Sequence, residues 1–355
     1  MGPPLAEATS IQLVAVQMRL DINDFWTRSG FEMKIRRLME QVAAQTDRHL
    51  PALVVFPEDV GLLLVAQGMQ RHLTGVRSID TALKTAIKTH LLPLAVTRSL
   101  HRLAWVPALF FHRNQIIAET YFDVFAHLAR EYQVYLVAGS VVLPPYALTD
   151  GQVQWRAGPI EHRMYNTSYF FGPDGRVVGR QDKVFLIDLE KEGALHLNAG
   201  ALESLRAFET PLGRVGIAIC FDAFQNEVID ALSRQRAQIL VQPSANVGRW
   251  NAEQQVDWLR SSYQRTFTEG RFEYAVNPML NGPLWDIGFF GQSSIVAKEP
   301  NGLPAAGPRG VGYQDLEPAK GFIRVASSDR SEEILVAAVP HPHAQGDPNR
   351  TGCGK

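Results

Sequence analysis

Apolar positions along the chain switch between two spacings, and the switching predicts strands separated by helices. Ile11 to Gln17 is an apolar run with strand character. Phe31 to Gln45 places Ile35, Leu38, Met39 and Val42 on one stripe, the spacing of a helix. Ala52 to Phe56 is a short β-branched run that stops at Pro57-Glu58. Val124, Phe125 and Leu128 mark another helix, and Val134 to Leu143 reads as one strand closed by Pro144-Pro145. Tyr165 to Phe171 and Arg176 to Gly179 flank Pro173-Asp174-Gly175, a turn with hairpin chemistry. Ala237 to Val241 is a strand ending at Gln242-Pro243, and Val256, Leu259, Tyr263 and Phe267 share one helical face. Tyr274 to Met279, Ser293 to Ala297, Phe322 to Val325 and Ile334 to Val339 read as later strands. The alternation predicts an α/β fold, and the hairpins predict mixed rather than all-parallel sheets.

Composition narrows the class. Of 355 residues, 46% are hydrophobic, enough for a sizeable core, and a formal net charge of −1 gives no reason to expect a nucleic-acid partner. The two cysteines, Cys220 and Cys353, do not suggest a disulfide scaffold, so a reducing, cytoplasmic compartment is expected. Met1 to Ser10 lacks the basic-then-apolar pattern of a secretory signal. No stretch of 18 uncharged apolar residues predicts a membrane-spanning helix. With no repeat and no evident linker, 1–340 reads as a single domain. Pro300 to Lys320 is a Pro/Gly-rich loop within it, and 341–355 is a polar tail.

Three strand ends carry candidate chemistry. Arg214 to Asp222 reads as a short buried strand ending in the thiol of Cys220, followed by a helix over Gln225 to Gln235. Strand, sharp turn and helix lift one side chain into a cleft and leave backbone N–H groups free beside it. A buried structural cysteine is the ordinary alternative. Leu53 to Glu58 delivers a carboxylate just past an apolar run, and Gly179 to Leu186 delivers Lys183 among apolar neighbours. Taken singly, each charge also fits a solvated loop position. Strand ends are where α/β folds gather chemistry, so the three can share one site.

Together these stretches resemble the nitrilase, or carbon–nitrogen hydrolase, superfamily, which uses Glu, Lys and Cys in that chain order. Phe56-Pro57-Glu58 resembles its first motif. Asp182-Lys183-Val184-Phe185-Leu186, after the Tyr165-Asn166 strand and the Gly172-Pro173-Asp174-Gly175 turn, resembles its second. Gly216-Ile217-Ala218-Ile219-Cys220 resembles its third. Arg271-Phe272-Glu273-Tyr274 with Asn277, and Phe290-Gly291-Gln292-Ser293, resemble later landmarks.

The resemblance implies a four-layer α-β-β-α sandwich of two mixed sheets, and a homodimer or larger homo-oligomer. It implies hydrolysis of a non-peptide amide through a thioester on Cys220. Glu58 would act as base, and Lys183 would favour the thiolate and then the oxyanion, together with the Phe221 N–H. No metal or organic cofactor is needed, and the His341/His343 pair in the tail lacks further ligands. Glu190 falls where related sequences place a second glutamate, with Glu192 as the competing register. Asn246 and Trp250, just past the Val241 strand end, are candidates to line the substrate pocket. Cys220-Phe221-Asp222 resembles the amidase branches, whereas true nitrilases tend to carry Trp-Glu after the cysteine. Asn226 stands where proline is usual, which touches the helix start rather than the nucleophile. An N-acyltransferase or a nitrilase on the same scaffold are the alternatives, with a non-catalytic binding protein behind them.

The stretch 62–118 departs most from the family. Thr81 to Ala118 has no Asp or Glu, but carries Lys84, Lys88, Arg98, Arg102 and Arg113 among apolar residues. It reads either as a helical lid or packing segment, or as an interfacial hairpin touching an anionic membrane surface. Pro93 and Pro107 exclude a single long helix. As a lid it would cover the Cys220 pocket and favour apolar substrates, with Trp105, Leu109, Phe110 and Phe111 lining the mouth.

Overall fold

A computed structural model describes residues 9–191, 195–300, 303 and 311–342. Two mixed sheets form its centre. The first runs, in spatial order, Glu333–Pro340, Ser10–Gln17, Ala52–Val55, Tyr135–Val137, Tyr165–Phe171 and Val141–Leu143, and Val177–Asp182 also pairs with Tyr165–Phe171. The second runs Phe322–Val325, Ser294–Ala297, Tyr274–Asn277, Ile239–Val241, Gly213–Ile217 and Ala207–Thr210. Each sheet has three parallel strands at its heart: Ser10–Gln17, Ala52–Val55 and Tyr135–Val137 in one, and Gly213–Ile217, Ile239–Val241 and Tyr274–Asn277 in the other. Antiparallel neighbours flank both trios.

The period of two along each strand makes the layers. Ile11, Leu13 and Ala15 pack into one core with Val215, Ile239, Val276 and Ile295 of the second sheet. Val14 and Val16, pointing the other way, pack with Ile35 and Leu38 of the helix Arg28–Gln45 and with Phe125 and Leu128 of the helix Asn114–Tyr132. On the far side, a Cβ at Gly216 would lie 3.1 Å from Leu232, because the helix Asn226–Arg234 seats there with Val228 and Ile229. The result is the expected four-layer α-β-β-α sandwich.

Several elements differ from the sequence reading. Val134 to Leu143 is two strands, Tyr135–Val137 and Val141–Leu143, broken where Gly139 takes φ +59°. The helix containing Val256 ends at Leu259 and is followed by a π-helical turn, Gln264–Thr268. Its buried face carries Gln255 and Trp258, so Val256 is 51% exposed. Residues 301–302 and 304–310 of the Pro300 to Lys320 loop, and the tail from His343 with Cys353, lie outside the described residues.

The stretch 62–118 is helical: Leu62–Ala66, Gln70–Leu73, Ile79–Thr89, Leu91–His101 and Trp105–His112 lead into the long Asn114–Tyr132 helix. Pro93 and Pro107 each stand third in their helix. The first turn has no intrahelical acceptor for its N–H groups, so proline is tolerated there. Three of the basic groups find partners nearby: Lys84 pairs with Asp80 at 2.6 Å, Arg98 lies over Trp105, and Arg113 donates to the Gln67 carbonyl. Leu92, Val96 and Leu100 stay exposed at helical spacing, the face an interfacial contact would use. No described helix is long and apolar enough to cross a membrane.

Candidate active site

Glu58 is held by the kink that interrupts the neighbouring strand. The Phe56 N–H donates to Val137 O at 2.9 Å, continuing the parallel ladder, and Pro57 ends it. The N–H of Asp59, a residue at φ 62°, donates to Ser140 Oγ at 2.9 Å, and the Gly61 N–H donates to Ser140 O at 2.9 Å. Gly139 makes this possible, since a Cβ there would lie 1.9 Å from Pro57 O. Gly139→Ala adds both that clash and the left-handed strain, and is expected to cost about 2–4 kcal/mol of stability in urea unfolding. A loss below about 0.5 kcal/mol, within the range of ordinary surface substitutions, would show that the kink yields freely.

Lys183 leaves the end of Val177–Asp182, its N–H donating to Asn166 O at 2.8 Å across the hairpin. Its ammonium sits between two carboxylates, 2.8 Å from Glu58 Oε1 and 2.7 Å from Glu190 Oε2. Asn166 joins the same two acids from below, with Nδ2 donating to Glu58 at 3.0 Å and Glu190 at 2.8 Å. Both partners are acceptors, so the amide NH₂ must face them. Asn166 Oδ1 is buried without a hydrogen-bond partner among the described residues. Glu190 is pinned further by the Ile187 N–H at 3.0 Å. Lys183 is 1% exposed, Asn166 1%, Glu58 3% and Glu190 5%, so solvent screens none of these contacts appreciably.

Cys220 arrives from the other sheet. It follows Gly213–Ile217 and adopts φ 48°, a left-handed conformation that costs a non-glycine residue about 1–2 kcal/mol. The conformation is over-determined: the Cys220 N–H donates to Pro243 O at 2.9 Å and Gln242 Nε2 donates to Cys220 O at 3.1 Å. Asp222, two residues on, accepts from the Val184 N–H at 3.2 Å and the Phe185 N–H at 2.7 Å, tying the cysteine turn to the lysine loop. Ala245 links the remaining pair. Its N–H donates to Glu58 Oε2 at 3.1 Å, and its carbonyl faces Cys220 Sγ at 3.9 Å. Through Ala245 the thiol and Glu58 are brought beside one another.

These contacts set the protonation states. Burial pushes Glu58 above the ordinary carboxylate range, opposed by the Lys183 charge. Burial works to lower Lys183, but the charges of Glu58, Cys220 and Glu190 outweigh it and hold the ammonium well above its usual value. Burial, reinforced by the Glu58 charge, pushes the Cys220 thiol well up, and Lys183 offsets this only partly. Lys183 acts in favour of the thiolate, but burial and then the Glu58 charge outweigh it, so the resting thiol is neutral. Burial and the neighbouring Glu58 and Glu190 charges also raise Asp59, and burial raises Asp222 to about 7.

Glu58, Lys183, Glu190 and Cys220 thus meet at one place, while Glu192 lies outside the described residues. Phe221 and Asn246 line an open cleft that reaches Cys220. Trp250 does not line it. It is 3% exposed, donates from Nε1 to Gln292 Oε1 at 3.0 Å, and packs edge-on against Trp258 and Tyr313. Trp105 and Phe111 also miss the mouth, Trp105 lying under Arg98 and Phe111 against His101 and His162. Asn166 and the tethering role of Asp222 escaped the sequence reading. The signal for Asn166 was a polar side chain inside Tyr165–Phe171, a strand buried along its whole length. Among the described residues no group of His, Cys, Asp and Glu could hold a metal ion.

Comparison with known proteins bears on the same stretches. The model of the carbon-nitrogen hydrolase family matches residues 16–312. The omega-amidase NIT2 of Xenopus tropicalis is 29% identical over 126 residues, which are 34% of this chain and 40% of that protein. The alignment therefore spans about two fifths of that curated relative. A carbon-nitrogen hydrolase from Helicobacter pylori G27 superposes with a TM-score of 0.60 at 18% identity, covering 94% of this chain and 90% of its own. A mutant amidase from Nesterenkonia sp. AN1, showing Michael addition of acrylamide at its active-site cysteine, superposes at 0.57 with 15% identity, covering 95% and 96%.

Proposed function

Since the chain belongs to the carbon–nitrogen hydrolase family, we propose that it hydrolyses a carboxylic amide through a thioester on Cys220. The observation that carries this reading is the buried ammonium of Lys183, bridging Glu58 and Glu190, with Ala245 contacting both Glu58 and the Cys220 thiol.

A neutral thiol is a weak nucleophile, so its proton leaves as the bond forms. Cys220 Sγ attacks the amide carbon while Glu58 takes the thiol proton. The carbonyl oxygen becomes an oxyanion between the Lys183 ammonium and the Phe221 N–H. Glu58 returns the proton to nitrogen, the carbon–nitrogen bond breaks, and ammonia or an amine departs. Glu58 then draws a proton from water, whose oxygen attacks the thioester. The collapse of that second intermediate frees the acid and reprotonates Cys220. Glu190 and Asn166 are positioning residues here: both bind Glu58 or Lys183 rather than the reacting atoms.

The pH profile tests the assignment. Glu58 works in its charged form, and its pKa is raised from the ordinary 4.5. Activity is therefore absent at low pH and appears as pH rises through a value above 4.5. Cys220 and Lys183 both titrate well above their usual range, so kcat/KM then stays level past 9.0, where an ordinary thiol ionises. A rate that keeps climbing toward pH 9 would mean that a free thiolate attacks, and would remove Glu58 as base.

A further inference from the structure

Protein interiors are close-packed, and a void with apolar walls is too poor in partners to hold water well. Such a void lies beneath the stretch 62–118. Every residue lining it is apolar, and it offers a cavity of about 50 Å³ between Leu73, Ala82, Ala86, Leu109 and Phe110. It adjoins the chamber of about 130 Å³ lined by Glu58, Lys183 and Glu190, since Leu62, Ile79, Leu83, Leu195 and Leu284 line both. Polar groups stand only at the catalytic end. The helix Ile79–Thr89 forms one wall over both spaces, with Leu83 at the junction and Ala82 and Ala86 beyond it. Its start is fixed by Ser78, which caps the Thr81 N–H at 3.2 Å, and by Asp286, which accepts the Ile79 N–H at 2.8 Å.

We propose that this two-chamber space is an acyl-chain channel, and that the substrates are amides of unbranched aliphatic acids long enough to pass Leu83. The inference rests on the amide-hydrolysis reading of Cys220. The direction of the chain follows from the order of events. The amine departs first and needs an open route, which the cleft of Phe221, Asn246, Asp257 and Arg260 supplies. The acyl group stays on sulfur until water attacks, so apolar walls suit it. Ala82 and Ala86, small residues in a helix otherwise bearing larger apolar ones, leave the far chamber open.

The test compares acetamide, hexanamide and decanamide as substrates of the whole protein, with decanoate binding followed by calorimetry. In the natural protein kcat/KM rises along the series, by roughly threefold or more per methylene until the channel is filled. Leu83→Trp, at the junction, lowers the decanamide value by more than about tenfold relative to acetamide and weakens decanoate binding. Ala86→Leu, at the far end, penalises decanamide but not hexanamide, and it carries the test if Leu83→Trp fails to fold. A flat or falling series overturns the channel. If no amide of any length is turned over, the hydrolysis reading fails by itself. Decanoate binding that Leu83→Trp weakens still supports the channel, and absence of that binding overturns it.

Discussion

Cys220→Ala is expected to abolish amide turnover, by at least about 10⁴-fold, while leaving the fold intact. No substitute nucleophile stands at the same point. Cys220 is the one free cysteine among the described residues, and it lines the cleft while sharing Ala245 with Glu58. Removing the sulfur also removes the acyl carrier, so acid quenching during turnover should trap an acyl group on the Cys220 peptide of the natural protein and none in the variant. Stability should change by no more than about 1 kcal/mol, because the lost thiol has weak contacts and alanine leaves the backbone bonds to Pro243 and Gln242 in place. Thermal unfolding measured beside activity separates chemistry from folding. A well-folded variant that still turns over amide at a substantial rate would end the thioester mechanism.

What the sequence disclosed, and what it withheld, divides along a physical line. Strand runs such as Ile11 to Gln17 and Ala52 to Phe56 were legible because both faces are buried, and two buried faces leave an unbroken apolar run. The gathering of Glu58, Lys183 and Cys220 was legible because each follows a strand, and a strand end has a fixed place in the sheet. The break at Gly139 was not, since it exists to clear Pro57 O, an atom about eighty residues away in the chain. Trp250 was misplaced for a related reason. Nearness to a strand end says nothing about which way an aromatic ring turns, and Gln292 and Tyr313 turn this one inward. How little the ammonium of Lys183 can offset the burial of the thiol was not legible either. The ammonium's charge is already shared with two carboxylates, which no local spacing reveals.

Lys183→Gln should lower kcat by about 10²-fold or more and change KM little. Two losses combine. The developing oxyanion loses a fixed positive charge, worth about 3 kcal/mol in comparable sites. The second loss concerns the base. Glu58 and Glu190 would then face each other through a neutral amide, in a site that solvent barely screens. Like charges so placed do not both ionise readily, so the pKa of Glu58 rises further and the acid limb of the pH profile moves to higher pH. The deficit in the variant should accordingly shrink as pH rises. Stability shifts the opposite way. With folded-state pKa values raised, the folded protein binds more protons than the unfolded chain, so the variant loses stability as pH rises through that window. Activity recovering with pH while stability declines is a pair of trends that a merely misfolded variant would not produce. A change confined to KM would remove Lys183 from the oxyanion and leave it only as a tether between two acids.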